Sequence, residues 1–167
     1  MRPRAHTGPA TVVGMNDTMG ELSGHQEASV PADSSSVAVE EIPVIEMPDG
    51  LPGFPDALAF VLERLDDLGA LGTLRALGDE GPAFFVVPPA VWFPDYEPVL
   101  DEITCASLEL DEPADALLLL VVTMGERPTD ATANLMAPLV VNARTRRGAQ
   151  VVLSGTAYSV RQPLTEV

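Results

Sequence analysis

Short apolar runs separated by turn residues dominate the second half of the chain. The runs cover residues 83–87, 116–123, 139–142, 149–153 and 158–162. Residues 146–148 (Arg-Arg-Gly) and 154–156 (Ser-Gly-Thr) have the composition of turns between strands. Several short strands joined by such turns predict a sandwich or a barrel.

The first half of the pattern is less uniform. Residues 37–46 predict an extended strand with a register shift, and Pro43 within it indicates an edge position or a bulge. Residues 58–68 carry leucine and valine at helical spacing, although residues 57–62 fit a buried strand equally well. Residues 97–103 fit a strand or a single helical turn, and residues 111–115 predict a short helical turn.

A composition change near residue 37 divides the chain. Residues 1–36 are rich in Gly, Pro, Ser, Thr and Ala and lack aromatic residues and a periodic apolar face. Such a segment buries too little apolar surface to offset its ordering entropy. We therefore predict a disordered N-terminal tail over residues 1–36 and one folded domain over residues 37–167.

Charge restricts the classes of partner. The 167 residues include 25 acidic and nine basic ones, all arginine, so the formal net charge is −16. The absence of lysine excludes a P-loop and Schiff-base chemistry. A strongly anionic chain also repels phosphates, so we predict no direct binding of nucleic acid. Such a chain attracts basic proteins instead.

Few residues are suited to catalysis or metal binding. Both histidines, His6 and His25, lie in the predicted tail, which leaves the folded domain without the commonest general base and metal ligand. Cys105 is the only cysteine, so neither a disulfide within the chain nor a cysteine cluster for zinc can form. Pairs of carboxylates remain as candidates for acid–base chemistry, but surface acids are expected to lie close together by chance in this chain. We predict no catalytic residue, no cofactor and no metal site.

The sequence also bears on location. A single free cysteine fits the reducing cytoplasm. The N-terminus lacks the apolar stretch of a secretory signal, and the longest apolar run, residues 116–122, is too short to span a bilayer. A cytoplasmic protein without a membrane segment is the expectation.

Four stretches resemble the flagellar assembly factor FliW family. They are residues 50–54 (GLPGF), residues 84–88 (FFVVP) followed by Asp95-Tyr96, residues 132–142 (TANLMAPLVVN), and residues 150–153 (QVVL) followed by Tyr158. The resemblance covers residues 37–164. It implies a mainly β fold, a small β-barrel-like domain with a few short helices. It also implies a strand near residues 60–65, where spacing alone favours a helix.

The resemblance further implies two competing protein partners. Members of the family bind flagellin in the cytoplasm and also bind the translational regulator CsrA. Export of flagellin frees the factor, which then binds CsrA and relieves the repression of flagellin mRNA. This chain departs from the family pattern at residues 71–76 and at Met136, where the family often has a basic residue.

The motif loops supply the candidate interaction residues. Those predicted to contact a partner are Trp92, Phe93, Tyr96, Asn134, Leu135 and Met136. Those predicted to have structural roles are Gly50, Gly53, Pro138 and Asn142. Phe54, Phe93 and Leu135 fit a core position as well, because large apolar side chains are usually buried. Trp and Met are favoured at interfaces, which directs attention to Trp92 and Met136.

Two alternative functions stay open at this point. One is an acidic β-domain that binds a different basic protein, because the residues at positions 75 and 136 depart from the family. The other is a carboxylate-dependent enzyme, which would require two close acids with raised pKa values in a deep pocket.

Overall fold

The computed structural model describes residues 27–29 and 44–164 of the chain. Most of the predicted disordered tail, residues 1–26 and 30–36, lies outside the described residues, as do residues 37–43 of the first predicted strand. Residues 27–29 form a strand, which differs from the disorder predicted for them.

The described residues form eleven strands and two short helices. In chain order the strands are β1 (Glu27–Ser29), β2 (Ile45–Glu46), β3 (Ala59–Arg64), β4 (Gly72–Ala76), β5 (Ala83–Val87), β6 (Val99–Asp101), β7 (Ala116–Thr123), β8 (Thr132–Ala133), β9 (Leu139–Asn142), β10 (Gly148–Gln150) and β11 (Gln162–Pro163). The helices are α1 (Pro89–Trp92) and α2 (Glu102–Ser107), and 3₁₀ turns cover Pro113–Asp115 and Pro128–Asp130.

Nine of these strands belong to one antiparallel sheet. Its order is β10-β9-β7-β5-β4-β3-β2, with β8 paired to β7 and β11 paired to β8. The two ends of this order meet, because the Glu46 N–H donates to the Arg146 carbonyl at 2.8 Å and Glu46 forms a bridge with Arg147. The result is a nearly closed barrel, so the prediction of a mainly β, barrel-like fold is confirmed.

Strand β7 lies at the centre of the sheet and is buried on both faces. Leu117 and Leu119 pack into one hydrophobic cluster, whereas Leu118 and Leu120 pack into the other. A strand covered on both sides needs apolar side chains at consecutive positions. This requirement explains the uninterrupted apolar run over residues 116–122 of β7.

The segment with helical spacing is a strand. Phe60 and Leu62 are buried, and Phe60 lies opposite Ala76 in the pairing with β4. Leu65 and Leu68 lie beyond the end of β3 and are exposed. Pairing on both edges of β3 satisfies its backbone and buries alternate residues, and these long-range contacts override local spacing. The resemblance therefore predicted this region correctly.

Other segments differ in their limits. The strand predicted at residues 149–153 is β10, which ends at Gln150, and only Gln162 of the predicted 158–162 strand belongs to β11. Residues 97–103 contain both predicted alternatives, because β6 leads directly into α2. The Asp101 carboxylate caps α2 by accepting the Thr104 N–H at 2.7 Å.

Candidate protein-binding surface

The two motif glycines shape the turn after β2. Gly50 has φ +66°, and a Cβ at this position would lie 2.6 Å from the Phe54 carbonyl oxygen. Gly53 also has a positive φ of +85°. Both conformations favour glycine, so this loop turns back sharply and places Phe54 edge-on against Phe84, with ring centroids 5.5 Å apart.

The residue 132–142 motif brings neighbouring segments together through its backbone. Asn134 Oδ1 accepts the Ala137 N–H at 3.0 Å and so fixes a tight turn. The Leu135 N–H donates to the Ser159 carbonyl at 2.9 Å, and the buried Pro138 accepts the Val151 N–H at 2.9 Å. The half-buried amide of Asn134 is thus engaged within the fold.

Among the described residues, Asn142 is the polar residue that is fully buried in the core. Its Nδ2 donates to the carbonyls of Leu108 and Glu109 at 2.9 and 2.7 Å. Its Oδ1 accepts the N–H groups of Arg144 and Thr145 at 2.8 and 3.0 Å. One amide therefore joins the end of α2 to the turn after β9, which makes Asn142 a structural residue in this fold.

Tyr96 and Leu135 lie beneath the surface. Tyr96 is 2% exposed, and its hydroxyl donates to the Leu135 carbonyl at 2.7 Å. Its ring packs edge-on against Tyr158 with centroids 4.8 Å apart. Burial raises the pKa of Tyr96 above its ordinary value. Both side chains are covered, so they support the overlying loops and present little surface to a partner.

Trp92 ends α1 and holds the loop between β3 and β4. The half-buried indole Nε1 donates to the Ala70 carbonyl at 2.9 Å. The same loop is organised by Asp66, whose carboxylate accepts the N–H groups of Leu68, Ala70 and Leu71 at 2.8, 3.0 and 2.6 Å. These backbone N–H groups, that of Ala70 first, lower the pKa of Asp66.

An apolar groove of about 460 Å³ opens beside this loop. Its floor and walls come from β5, β7, α1 and the segment after β7. The lining residues are Leu71, Val87, Trp92, Val122, Met124, Pro128, Thr129, Ala131 and Leu164. Met124 is 49% exposed. Methionine side chains are unbranched and flexible, so this one can adapt its shape to an incoming apolar side chain.

Of the six predicted interaction residues, Trp92 lines this groove. Phe93 and Met136 are half-buried and lie elsewhere. Sequence reasoning missed Met124, Leu71 and Leu164. An exposed methionine directly after a fully apolar strand was the available signal for Met124, but the groove depends on distant segments that a local pattern does not connect.

Acidic residues neighbour the lining residues in the chain. Asp66 and Asp67 precede Leu71 in its loop, Glu126 precedes the 3₁₀ turn Pro128–Asp130, and Asp130 ends that turn. Arg127 is held by Asp130, with its Nη2 2.8 Å from the carboxylate. The residues that line the groove are therefore almost all apolar, and the acidic residues are their neighbours along the chain.

Reactive groups are sparse in residues 44–164. Within that range, no group of three or more His, Cys, Asp and Glu side chains could hold a metal ion. Burial and the nearby Asp101 carboxylate raise the pKa of the half-buried Cys105 thiol, so little of its reactive thiolate form is present at neutral pH.

The comparisons with known proteins decide the family. The model of the family described as FliW protein matches residues 32–164, which is most of the chain. This chain belongs to the FliW family. The match begins earlier than residue 37, where the four motif stretches placed its start.

Relatives named flagellar assembly factor FliW support this assignment. The one from Bacillus subtilis is 34% identical over 126 residues, covering 75% of this chain and 88% of the relative. The one from Geotalea uraniireducens is 38% identical over 128 residues, covering 77% of this chain and 78% of the relative.

The fold is likewise that of a solved FliW structure. The crystal structure of the flagellar assembly factor FliW superposes with a TM-score of 0.70 at 31% sequence identity, covering 75% of this chain and 87% of that one. This likeness confirms the fold that the resemblance implied. Within residues 27–29 and 44–164 no helix has the length and apolar character needed to cross a membrane.

Proposed function

We propose that this protein is a flagellar assembly factor that binds flagellin in the cytoplasm and antagonises CsrA, and that it carries out no catalysis. The observation that carries the proposal is an apolar groove in a strongly acidic chain of the FliW family. Binding of flagellin and of CsrA would be mutually exclusive, so export of flagellin would release the factor to bind CsrA.

The groove suits an amphipathic helix of flagellin. A helix that binds in this way inserts residues spaced three or four apart into an apolar cleft and leaves its polar face at the rim. Trp92 and Met124 are the residue types that contribute most to such contacts, one as a rigid anchor and the other as an adaptable surface. Their placement on one groove supports helix binding here.

The charge supports CsrA as the second partner. CsrA binds RNA and therefore carries basic surface, to which a chain of net charge −16 is complementary. Attraction between opposite charges raises the association rate and weakens as salt screens it. We expect the affinity for CsrA to fall steeply between low and physiological salt, and the affinity for flagellin to fall less.

Co-purification with flagellin and CsrA from the same organism tests the proposal. We expect each protein alone to be retained at micromolar concentration, and excess flagellin to release bound CsrA. Retention of neither protein would refute the proposal. It would favour instead a different basic partner, which the departures at Arg75 and Met136 also motivate.

A matched pair of variants locates the flagellin site. Met124→Asp puts a charge on the groove wall and should weaken flagellin binding at least about tenfold. Val152→Asp adds the same charge at an exposed position outside the groove and should leave affinity unchanged. Equal affinities for the two variants would place flagellin elsewhere on the protein.

A further inference from the structure

Another pocket lies between the turn after β2 and the turn that joins β4 to β5. Its volume is about 310 Å³, and both turns contribute to its walls through Gly53, Phe54, Asp56, Ala76, Leu77 and Gly81. It shares no lining residue with the apolar groove. A pocket at the small end of the range for ligand sites suits one long side chain of a partner.

Short contacts hold both walls of this pocket in place. The Phe54 N–H donates to the Leu51 carbonyl at 2.7 Å, which closes the first turn. The Ala76 N–H donates to the Pro82 carbonyl at 2.8 Å, which closes the second turn. A Cβ at Gly81 would lie 2.7 Å from the Cβ of Ala76, so glycine permits this close approach. The pocket is therefore formed before a partner arrives.

Two large side chains give the pocket an exposed apolar surface. Phe54 is 42% exposed and Leu77 is 52% exposed, and both line the pocket. The edge-on contact with Phe84 fixes the position of the Phe54 ring. Single exposed apolar residues are ordinary, but two of them on the wall of one preformed pocket are typical of a surface that another molecule covers.

The charge of the pocket selects its occupant. Asp56 is an exposed lining residue. Asp79 and Glu80 lie in the turn between the lining residues Leu77 and Gly81, so each of their Cα atoms is at most about 7.6 Å from the Cα of a lining residue. The ion pairs within residues 44–164 involve other carboxylates and none of these three.

The basic residue nearest to the pocket in the chain is engaged elsewhere. Arg75 precedes the lining residue Ala76 in β4, but successive side chains of a strand point to opposite faces. The Arg75 Nη2 lies 3.2 Å from Glu63 Oε1 on the neighbouring strand. The described residues at the pocket therefore carry negative charge that a partner can neutralise.

An arginine side chain matches all these features of the pocket. Its planar guanidinium stacks on aromatic rings and binds a carboxylate through two parallel hydrogen bonds, and its methylene stem covers apolar surface. Lysine has a point charge without this planar geometry. A wall that combines Phe54, Leu77 and Asp56 therefore fits arginine better than lysine.

We propose that this pocket docks an arginine side chain of a cationic partner protein, with the guanidinium at Asp56 and the methylene stem against Phe54 and Leu77. The acidic turn between β4 and β5 attracts the cationic segment that carries the arginine. The proposal does not depend on the apolar groove or on either partner named above.

Titration with a short peptide tests the pocket. The protein is the ¹⁵N-labelled full chain, the probe is acetyl-Leu-Arg-Leu-amide, and amide chemical shifts report both the affinity and the residues contacted. We expect saturable binding with the largest changes within residues 53–57 and 77–81, and no change at the indole N–H of Trp92 in the groove. A control peptide with citrulline in place of arginine lacks the charge and should bind at least about tenfold more weakly.

Matched variants of the protein test the assigned contacts. Asp56→Asn should weaken binding of the probe about fivefold, because it removes the carboxylate at the guanidinium. Asp95→Asn removes the same charge at an exposed position outside the pocket and should change the affinity by less than about twofold. Phe54→Leu keeps an apolar side chain without the ring and should weaken binding about threefold.

Three outcomes would refute the proposal. Equal affinities for the arginine and citrulline peptides would show that the leucines bind without the guanidinium. Equal effects of Asp56→Asn and Asp95→Asn would show attraction by overall charge alone. The largest shift changes at groove residues would place the peptide there instead. None of these measurements uses flagellin or CsrA, so this proposal and the proposed function fail independently.

Discussion

The two faces of β7 pack into hydrophobic clusters of different construction. The closed cluster is covered by strands and the turn after β2, and contains Ile45, Met47, Leu51, Phe60, Leu62, Leu74, Ala76, Val86, Leu117, Leu119, Leu139 and Val141. The open cluster is covered by short helices and loops, and contains Val87, Tyr96, Leu100, Leu108, Ala116, Leu118, Leu120, Val122, Ala131, Ala133, Leu135, Val140 and Leu153.

The two clusters differ in how completely they are covered. Similar aliphatic residues face both sides of β7, so the chemistry of the strand does not distinguish them. Paired strands seal the closed cluster, whereas loops cover the open cluster incompletely and leave Val87, Val122 and Ala131 on the wall of the groove. Loops held by a rigid sheet are the usual place for binding residues, so the open cluster is the side where we propose that a partner binds.

Truncation in the closed cluster should produce the largest loss of stability. Leu117→Ala removes a fully buried side chain from a strand-covered site that has little room to collapse, so the free energy of unfolding should fall by about 2–5 kcal/mol. Urea unfolding measures this change. Leu68→Ala, at a position 89% exposed, should change stability by less than about 0.5 kcal/mol. A loss below about 1 kcal/mol for Leu117→Ala would contradict a sealed cluster.

Loss of the buried Asn142 side chain should give the next largest loss of stability. Asn142→Ala leaves two carbonyls and two N–H groups without their partner, which should lower the free energy of unfolding by about 3 kcal/mol. Asn134→Ala removes a single bond at a half-buried turn and should cost about 1 kcal/mol. Similar losses for both variants would show that Asn142 does not have the structural role assigned to it.

Substitutions at the groove should affect binding more than stability. We expect Trp92→Ala to weaken flagellin binding by about 2 kcal/mol, because tryptophan anchors are enriched at binding hot spots, and to cost about 1 kcal/mol of stability. Met136→Ala should weaken binding less, since Met136 does not line the groove. Isothermal titration and urea unfolding of the same variants compare the two effects. A large loss of stability with unchanged affinity would assign Trp92 to the core.

The smallest expected effect is the pH dependence from the loop beside the groove. Backbone N–H groups lower the pKa of Asp66 below its ordinary value of 3.8. The Asp66 carboxylate therefore stabilises the folded state fully above about pH 4. This stabilisation is lost as the pH falls through the lower pKa of the folded state. Asp66→Asn should therefore make the acid limb of the stability profile shallower. Parallel acid limbs for the wild type and the variant would show that the carboxylate does not hold this loop.

Local sequence patterns predicted part of the fold well. The strands at residues 83–87, 116–123 and 139–142 have the predicted limits, because each is a compact apolar run bounded by turn residues. The 111–115 turn is also helical. The segment at residues 58–68 shows the limit of such patterns, because its spacing fits a helix and only pairing with distant strands makes it β3.

The sequence did not predict the surroundings of the candidate interaction residues. Trp92 was identified through its residue type and lines the groove, but Tyr96 and Leu135 are covered by neighbouring loops. Their cover comes from segments far away in the chain, including Tyr158. The partners predicted for these residues remain predictions.

The sequence alone determined the composition-dependent properties: a strongly negative charge, a folded domain without histidine, an aliphatic central strand, and motifs that identify the FliW family. These features are local or additive, so no contact between distant residues is needed to state them. The tertiary structure decided which side chains are sealed and which line the groove, that Asn142 joins α2 to the turn after β9, and that residues 27–29 cover the β6 edge. Each of these outcomes depends on backbone pairing and burial between distant segments, which no local pattern specifies.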